Sequence, residues 1–154
     1  MSEYTDIIAP FKEIRGGIIE AFHAIQETYR QIPPTALKEI AAAFDMTEAE
    51  VYGIASFYNY FSFYQQGKYV IMICRSAPCH IAGSEEIIKT LERTLGIPMG
   101  GTTEDGKFSL VWAECIGQCQ DAPALMLGKE ILTGIKAKGI RERVLALMEV
   151  KADD

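Results

Sequence analysis

Long apolar runs are missing from this 154-residue chain. Its longest charge-free stretch, Val51 to Gly67, is interrupted by Ser56, Asn59, Ser62, Gln65 and Gln66. That is too short and too polar for the roughly 20 apolar residues of a bilayer-spanning helix, so no direct membrane insertion is expected. Basic charge is also scarce. Fifteen Lys and Arg against 21 Asp and Glu leave a net charge of −6, with no cationic surplus for nucleic acid or an anionic membrane. The opening Met-Ser-Glu-Tyr-Thr-Asp has no basic stretch leading into an apolar run, which is not the order of a secretory leader. The expected location is therefore cytoplasmic, where thiols stay reduced and grouped cysteines bind metal. No G-x-G-x-x-G follows a strand-like segment, no Walker loop is present, and no carboxylate pair or Ser/His/Asp set stands out. Nothing in the chain binds a nucleotide by these signals or is catalytic by itself.

What is present changes character at Gln65-Gln66-Gly67, giving expected domains 1–66 and 67–154. The first is helical. Ile7, Ile8, Phe11, Ile14, Ile18, Ile19, Phe22, Ile25 and Tyr29 recur at three- and four-residue steps, the period of one amphipathic helix capped by Thr5 or Asp6. Pro34 suits the first position of a second helix with Leu37, Ile40, Ala41 and Phe44 on one face. Thr47-x-x-Glu50 is a capping box that opens a third. Six of the eight residues from Phe57 to Tyr64 are aromatic; they pack the helical region or form a partner-docking surface.

The second part alternates. Lys68 to Ile73 reads as a strand ending on Cys74, Gly83 to Leu95 as a helix, and Phe108 to Ala113 as a strand just before Cys115. Trp112 is expected to pack the sheet. Residues 124–127 and 130–132 make two short strands about Gly128-Lys129, and a last helix from about Lys136 to Glu149 buries Ile140, Val144, Leu145 and Met148. The order β-α-β-β-β-α is an α/β unit with a cysteine loop after each of two strands.

All four cysteines fall into two pairs, Cys74-x4-Cys79 and Cys115-x3-Cys119, separated by the 35 residues 80–114. Four thiolates from two loops are the ligand set of a small iron–sulfur cluster or a zinc ion. Structural zinc commonly uses C-x2-C at least once, and neither pair has it. A Rieske centre needs two histidines, but of the two present His23 lies on the first helix, far from the cysteine loops in sequence. Thioredoxin-type exchange needs C-x-x-C, which is absent, and four-iron clusters draw on C-x2-C runs. The spacing favours a 2Fe–2S cluster. A zinc-stabilised interaction module without redox role remains the alternative.

The chain resembles the thioredoxin-like 2Fe–2S ferredoxin family, which includes the small iron–sulfur subunit of NADH:quinone oxidoreductase and subunits of NAD-linked formate dehydrogenases and electron-bifurcating hydrogenases. The resemblance rests on Ile32-Pro33-Pro34, on Val51 to Tyr58, on Gly67 to Ile71, on Cys74-x4-Cys79-His80, and on Glu114-Cys115-Ile116-Gly117-Gln118-Cys119 followed by Ala122-Pro123. It implies an α+β architecture: an N-terminal helical bundle, then a thioredoxin-like α/β domain. It implies Cys74, Cys79, Cys115 and Cys119 as ligands of one 2Fe–2S cluster. It further implies a flavin- and NAD(P)H-binding iron–sulfur partner subunit carrying the FMN and NAD(P) sites, with further electron-transfer, hydrogenase or formate dehydrogenase subunits beyond it. The expected role is an electron-transfer subunit. Arg75 and Ser76 stand where the family often has small or hydroxyl residues. Close to the cluster, Arg75 would favour its reduced, more negative state, and Ser76 would donate to sulfur. His80 is either a donor beside the cluster or the partner in a loop-to-helix hydrogen bond.

Overall fold

The computed structural model describes residues 3–149. The chain divides into two compact units, Met1–Gln66 and Gly67–Asp154.

The first unit holds α1 (Thr5–Ile8), α2 (Gly17–Tyr29), α3 (Pro34–Phe44) and α4 (Glu48–Phe57). The periodic run from Ile7 to Tyr29 is not one helix. A 3₁₀ turn at Ala9–Phe11 carries Pro10, and the chain turns again before α2. Gly17 makes that turn possible, because a Cβ there would collide with the carbonyl oxygen of Phe11. The apolar period survives the break because both pieces face the same core, which is why periodicity alone hides it. Neither Thr5 nor Asp6 caps α1. Tyr4 occupies the cap position without a capping side chain, and its N–H donates to Glu39 Oε2 at 3.2 Å, tying α1 to α3. Pro34 does open α3, and Thr47 and Glu50 exchange both hydrogen bonds of the capping box at the head of α4. Phe22, Ile25, Ile32, Ile40, Val51 and Ala55 are fully buried between these helices.

The aromatic segment after α4 is held as a strap. Gln26 Nε2 donates to Tyr60 O at 2.8 Å and Gln26 Oε1 accepts from Ser62 N at 2.7 Å. Ile32 N donates to Ser62 O at 2.7 Å, and Gln66 N to Arg30 O at 3.0 Å. So fixed, the strap turns Phe61 and Phe63 into the core while Phe57 and Tyr64 stand 81% and 83% exposed. His23, half-buried, sits against the rings of Tyr60 and Phe61.

The second unit is a four-stranded mixed sheet in the order β2-β1-β3-β4, with β1 Tyr69–Cys74, β2 Phe108–Ala113, β3 Ala124–Leu127 and β4 Glu130–Thr133. β1 runs parallel to β2 and antiparallel to β3, and β3 and β4 form a hairpin. A parallel pair requires a crossover, supplied here by α5 (Ala77–Ile81) and α6 (Ser84–Leu95); α7 (Ala137–Glu149) closes the unit. Ile71, Ile73, Leu91, Leu110, Leu125 and Ile140 are its buried centre. Met148 is 45% exposed rather than buried. At 3.6 residues per turn it is rotated roughly 80° from Ile140, and Leu147 takes the inward position instead. Trp112 does not pack the sheet as expected but is 39% exposed. It lies near the end of β2, past Ser109 and Leu110, where residues 100–102 pair with the outer side of the strand. No described helix is long and apolar enough to cross a membrane.

Candidate metal centre

Strand direction brings the cysteine loops together. In the parallel register Cys74 lies opposite Ala113, and Arg75 N donates to Ala113 O at 3.1 Å. Both chains therefore leave the sheet at the same end, one on Cys74 and the other two residues before Cys115. The first loop enters α5 at once. Ser76 takes the cap position, Pro78 lies in the first turn, and His80 N donates back to Ser76 O at 3.0 Å. This five-residue helix carries Cys79 and was not expected from the sequence. It is too short for a periodic signal, although Ser followed two residues later by Pro is a fair start mark. The second loop places Cys119 on a 3₁₀ turn, Cys119–Asp121, after Gly117 has taken φ +82°, a value that favours glycine.

The sulfurs meet as two pairs. Cys115 Sγ and Cys119 Sγ are 3.3 Å apart, and Gly117 N donates to Cys115 Sγ at 3.4 Å. Two thiolates on one tetrahedral metal, each about 2.3 Å from it, stand about 3.8 Å apart, so this pair is already near the separation one metal imposes. Cys74 and Cys79 hydrogen-bond to each other and are both buried, packed with Ala124, Ile116 and Ala122. Cys115 and Cys119 are exposed.

The electrostatics separate the four. Burial acts against the Cys74 thiolate, but the N–H and hydroxyl of Ser76, the Cys79 thiol and the Ile116 N–H all donate to its sulfur, and the thiol falls below its ordinary value. Ile116 also packs against the cluster of Cys74, Cys79 and Ala124, so the second loop meets the buried sulfurs of the first. Cys79 is pushed up by burial and by the sulfurs of Cys74 and Cys115, against one N–H from Ala124. Cys119 is pushed up by its hydrogen bond to Cys115 and then by burial and the charge on Cys115, Cys79 and Cys74. A polycationic guest would offset the repulsion that raises Cys79 and Cys119 and draw them into ionised form. Among the described residues no three Cys, His, Asp or Glu donors gather about a point for one ion.

Of the remaining expected residues, Ser76 does reach sulfur, while His80 is exposed and engages Ser76 through its backbone. Arg75 does not stand alone, because its Nε and Nη2 both donate to Glu114 Oε1. Backbone donors to sulfur are expected from the loops, but which ones reach it, Ile116 and Ala124 among them, has no signature in residue type.

The sequence profile described as Thioredoxin-like [2Fe-2S] ferredoxin matches residues 4–148. The chain belongs to this family. Its cofactor is accordingly a 2Fe–2S cluster, and its sheet is the thioredoxin-like mixed sheet flanked by helices. A subunit of the NADH-quinone oxidoreductase of Aquifex aeolicus (strain VF5) is 38% identical over 120 residues, covering 78% of this chain and 75% of that one. A subunit of the NADH-quinone oxidoreductase of Thermus thermophilus is 36% identical over 132 residues, covering 86% and 73%. The NADP-reducing hydrogenase subunit HndA of Solidesulfovibrio fructosivorans is 28% identical over 144 residues, covering 94% and 84%. Among solved structures, an NAD+-reducing [NiFe]-hydrogenase in the air-oxidized state superposes with a TM-score of 0.75 at 24% identity, over 90% of this chain but only 24% of the hydrogenase chain. That likeness is one of fold.

Proposed function

We propose that this ferredoxin-family chain is the electron-transfer subunit of a multi-subunit NAD(P)H-linked oxidoreductase, of the NADH dehydrogenase or electron-bifurcating hydrogenase type. In this reading Cys74, Cys79, Cys115 and Cys119 hold one 2Fe–2S cluster, the members of each pair on the same iron. The observation that carries the assignment is that the two cysteine loops leave neighbouring parallel strands at the same end, with Ile116 of the second loop packed on Cys74 and Cys79 of the first.

When bound, a thiolate-ligated 2Fe–2S cluster supplies one-electron uptake and release. The chain's own residues set the terms. Ser76, Ile116 and Gly117 aim donors at cysteine sulfur, which stabilises negative charge and tunes the potential. Ala124 does the same for Cys79. The buried Cys74/Cys79 side excludes water, while exposed Cys115 and Cys119 leave the other side open to a redox partner.

FMN and NAD(P) belong, on this proposal, to a partner subunit in the cytoplasm, since this chain carries no nucleotide-binding motif. A partner handling two-electron hydride chemistry would find in this chain a one-electron acceptor. Residues 1–66 form a helical bundle that docks a partner, with Phe57, Tyr58 and Tyr64 as its exposed aromatic contacts. The deciding experiment is iron and acid-labile sulfide per chain on anaerobically purified protein, with an EPR spectrum after dithionite. Two irons, two sulfides and a spin-half signal support the proposal. One zinc, no labile sulfide and no signal, after expression in excess iron, overturn it in favour of a zinc-stabilised module.

A further inference from the structure

The residue after the first cysteine and the residue before the third are joined. Arg75 follows Cys74 at the end of β1, Glu114 precedes Cys115 past the end of β2, and both Nε and Nη2 of Arg75 donate to Glu114 Oε1. The parallel register favours this meeting, because it ends with Cys74 opposite Ala113 and residues 75 and 114 are the next on each side. The backbone fixes it further through Arg75 N donating to Ala113 O. The side chains are 55% and 58% exposed, and ion pairs that open to water add little to stability. Stabilising the fold is therefore not what this pair does best. Its position is its distinguishing property, for it sets one positive and one negative charge each next to a proposed cluster ligand.

Resting on the cluster assignment above, we infer that Arg75 and Glu114 are positioning residues that set the reduction potential as a compensated charge pair. One-electron reduction adds one unit of negative charge at the site, so a nearby cation favours it and a nearby anion opposes it. In the native pair the guanidinium is held on the carboxylate, and the two influences offset one another. Removing either partner takes one of the two charges from the site. E114Q leaves the Arg75 cation beside Cys74 and shifts the potential upward. R75Q leaves the Glu114 anion beside Cys115 and shifts it downward. The double variant R75Q/E114Q returns to near the native value. A pair that merely clipped the loops together would move both single variants in one direction, or change cluster retention without this change of sign.

The test is a dye-mediated redox titration of the full chain, followed by EPR, for the native protein and the three variants, at low and at high salt. Iron and sulfide on the native protein come first, and a failure there sinks the cluster assignment itself. On loaded protein, opposite shifts that shrink in high salt and cancel in the double variant uphold the pair. Equal shifts, shifts of the same sign, or none overturn it while leaving the cluster assignment intact. Should either single variant fail to retain two irons per chain, the charge-keeping R75K and E114D decide. Native-like potentials in both uphold the electrostatic role, and loss of cluster in both overturns it.

Discussion

Replacing Gln26 by Met keeps the length and bulk of the side chain and removes both of its strap contacts, the donation to Tyr60 O at 2.8 Å and the acceptance from Ser62 N at 2.7 Å. A neutral hydrogen bond contributes about 0.5–1.5 kcal/mol net, and a part-buried group left unpaired costs about 1–3 kcal/mol. Tyr60 O can turn to water because its contact is exposed, whereas the Ser62 contact is part-buried. The loss is thus expected at about 1–2 kcal/mol, concentrated on opening the strap, which is a factor of about 5–30 in the population of the open form. Amide hydrogen exchange read residue by residue is the right assay. Ser62 N–H exchange should accelerate about 5–30-fold, and Ile32 N–H, bonded to Ser62 O, should follow. The amides of Ile71 and Ile73, in the β1 ladder, should keep their native rates. Unchanged exchange at Ser62 in a variant of native stability would refute the view that Gln26 holds the strap.

Other expectations are open to direct measurement. Phe22→Ala, at a fully buried ring packed on Phe61, should cost about 3–5 kcal/mol in urea unfolding followed by circular dichroism, and a loss below about 1 kcal/mol would contradict the assigned core. Glu50 is held below its ordinary value by hydrogen bonds from the backbone and hydroxyl of Thr47. Its contribution to stability is therefore fully present above the ordinary carboxylate range and lost as pH falls through the depressed value, so the acid slope of stability should flatten in Glu50→Gln; an unchanged slope would discard the capping-box account. Cys74→Ser puts a hydroxyl in place of a buried thiol, whereas Cys119→Ser alters an exposed one. Iron per chain should fall further in the first variant than in the second, and the reverse order would argue against Cys74 as an inner ligand.

The elements with a period are readable from residue order alone. β1, β2, the β3–β4 hairpin, α3 with its leading proline and α4 with its capping box lie within a residue or two of where composition puts them. The four cysteines announce themselves by spacing. What escapes has no period or no side-chain signature. α5 is a single turn and a half. The break before α2 depends on how closely Gly17 approaches Phe11, a tertiary fact written in a residue that looks permissive anywhere. The aromatic strap could not be sorted by pattern, because Gln26, far earlier in the chain than Phe61, decides which rings turn inward. Arg75 reads as a lone cation until the register sets Glu114 beside it.

The parallel pairing of β1 and β2 also says which distances along the chain are free. Had β2 run the other way, Cys115 would sit at the far end of a six-residue strand, roughly 20 Å away at about 3.3 Å per residue. The gaps inside each cysteine pair are bound by the reach of a single loop around a metal. The interval between the pairs is bound only by the need to return to the same edge in the same direction. Its length lies in the α6 crossover and in the exposed turn tip at Glu104-Asp105, since Gly100-Gly101 is itself hydrogen-bonded to Leu110 of β2. Residues inserted there should be tolerated by an intact site, while one residue added between Cys115 and Cys119 should abolish it. A signature for such proteins is accordingly two rigid words separated by an elastic space.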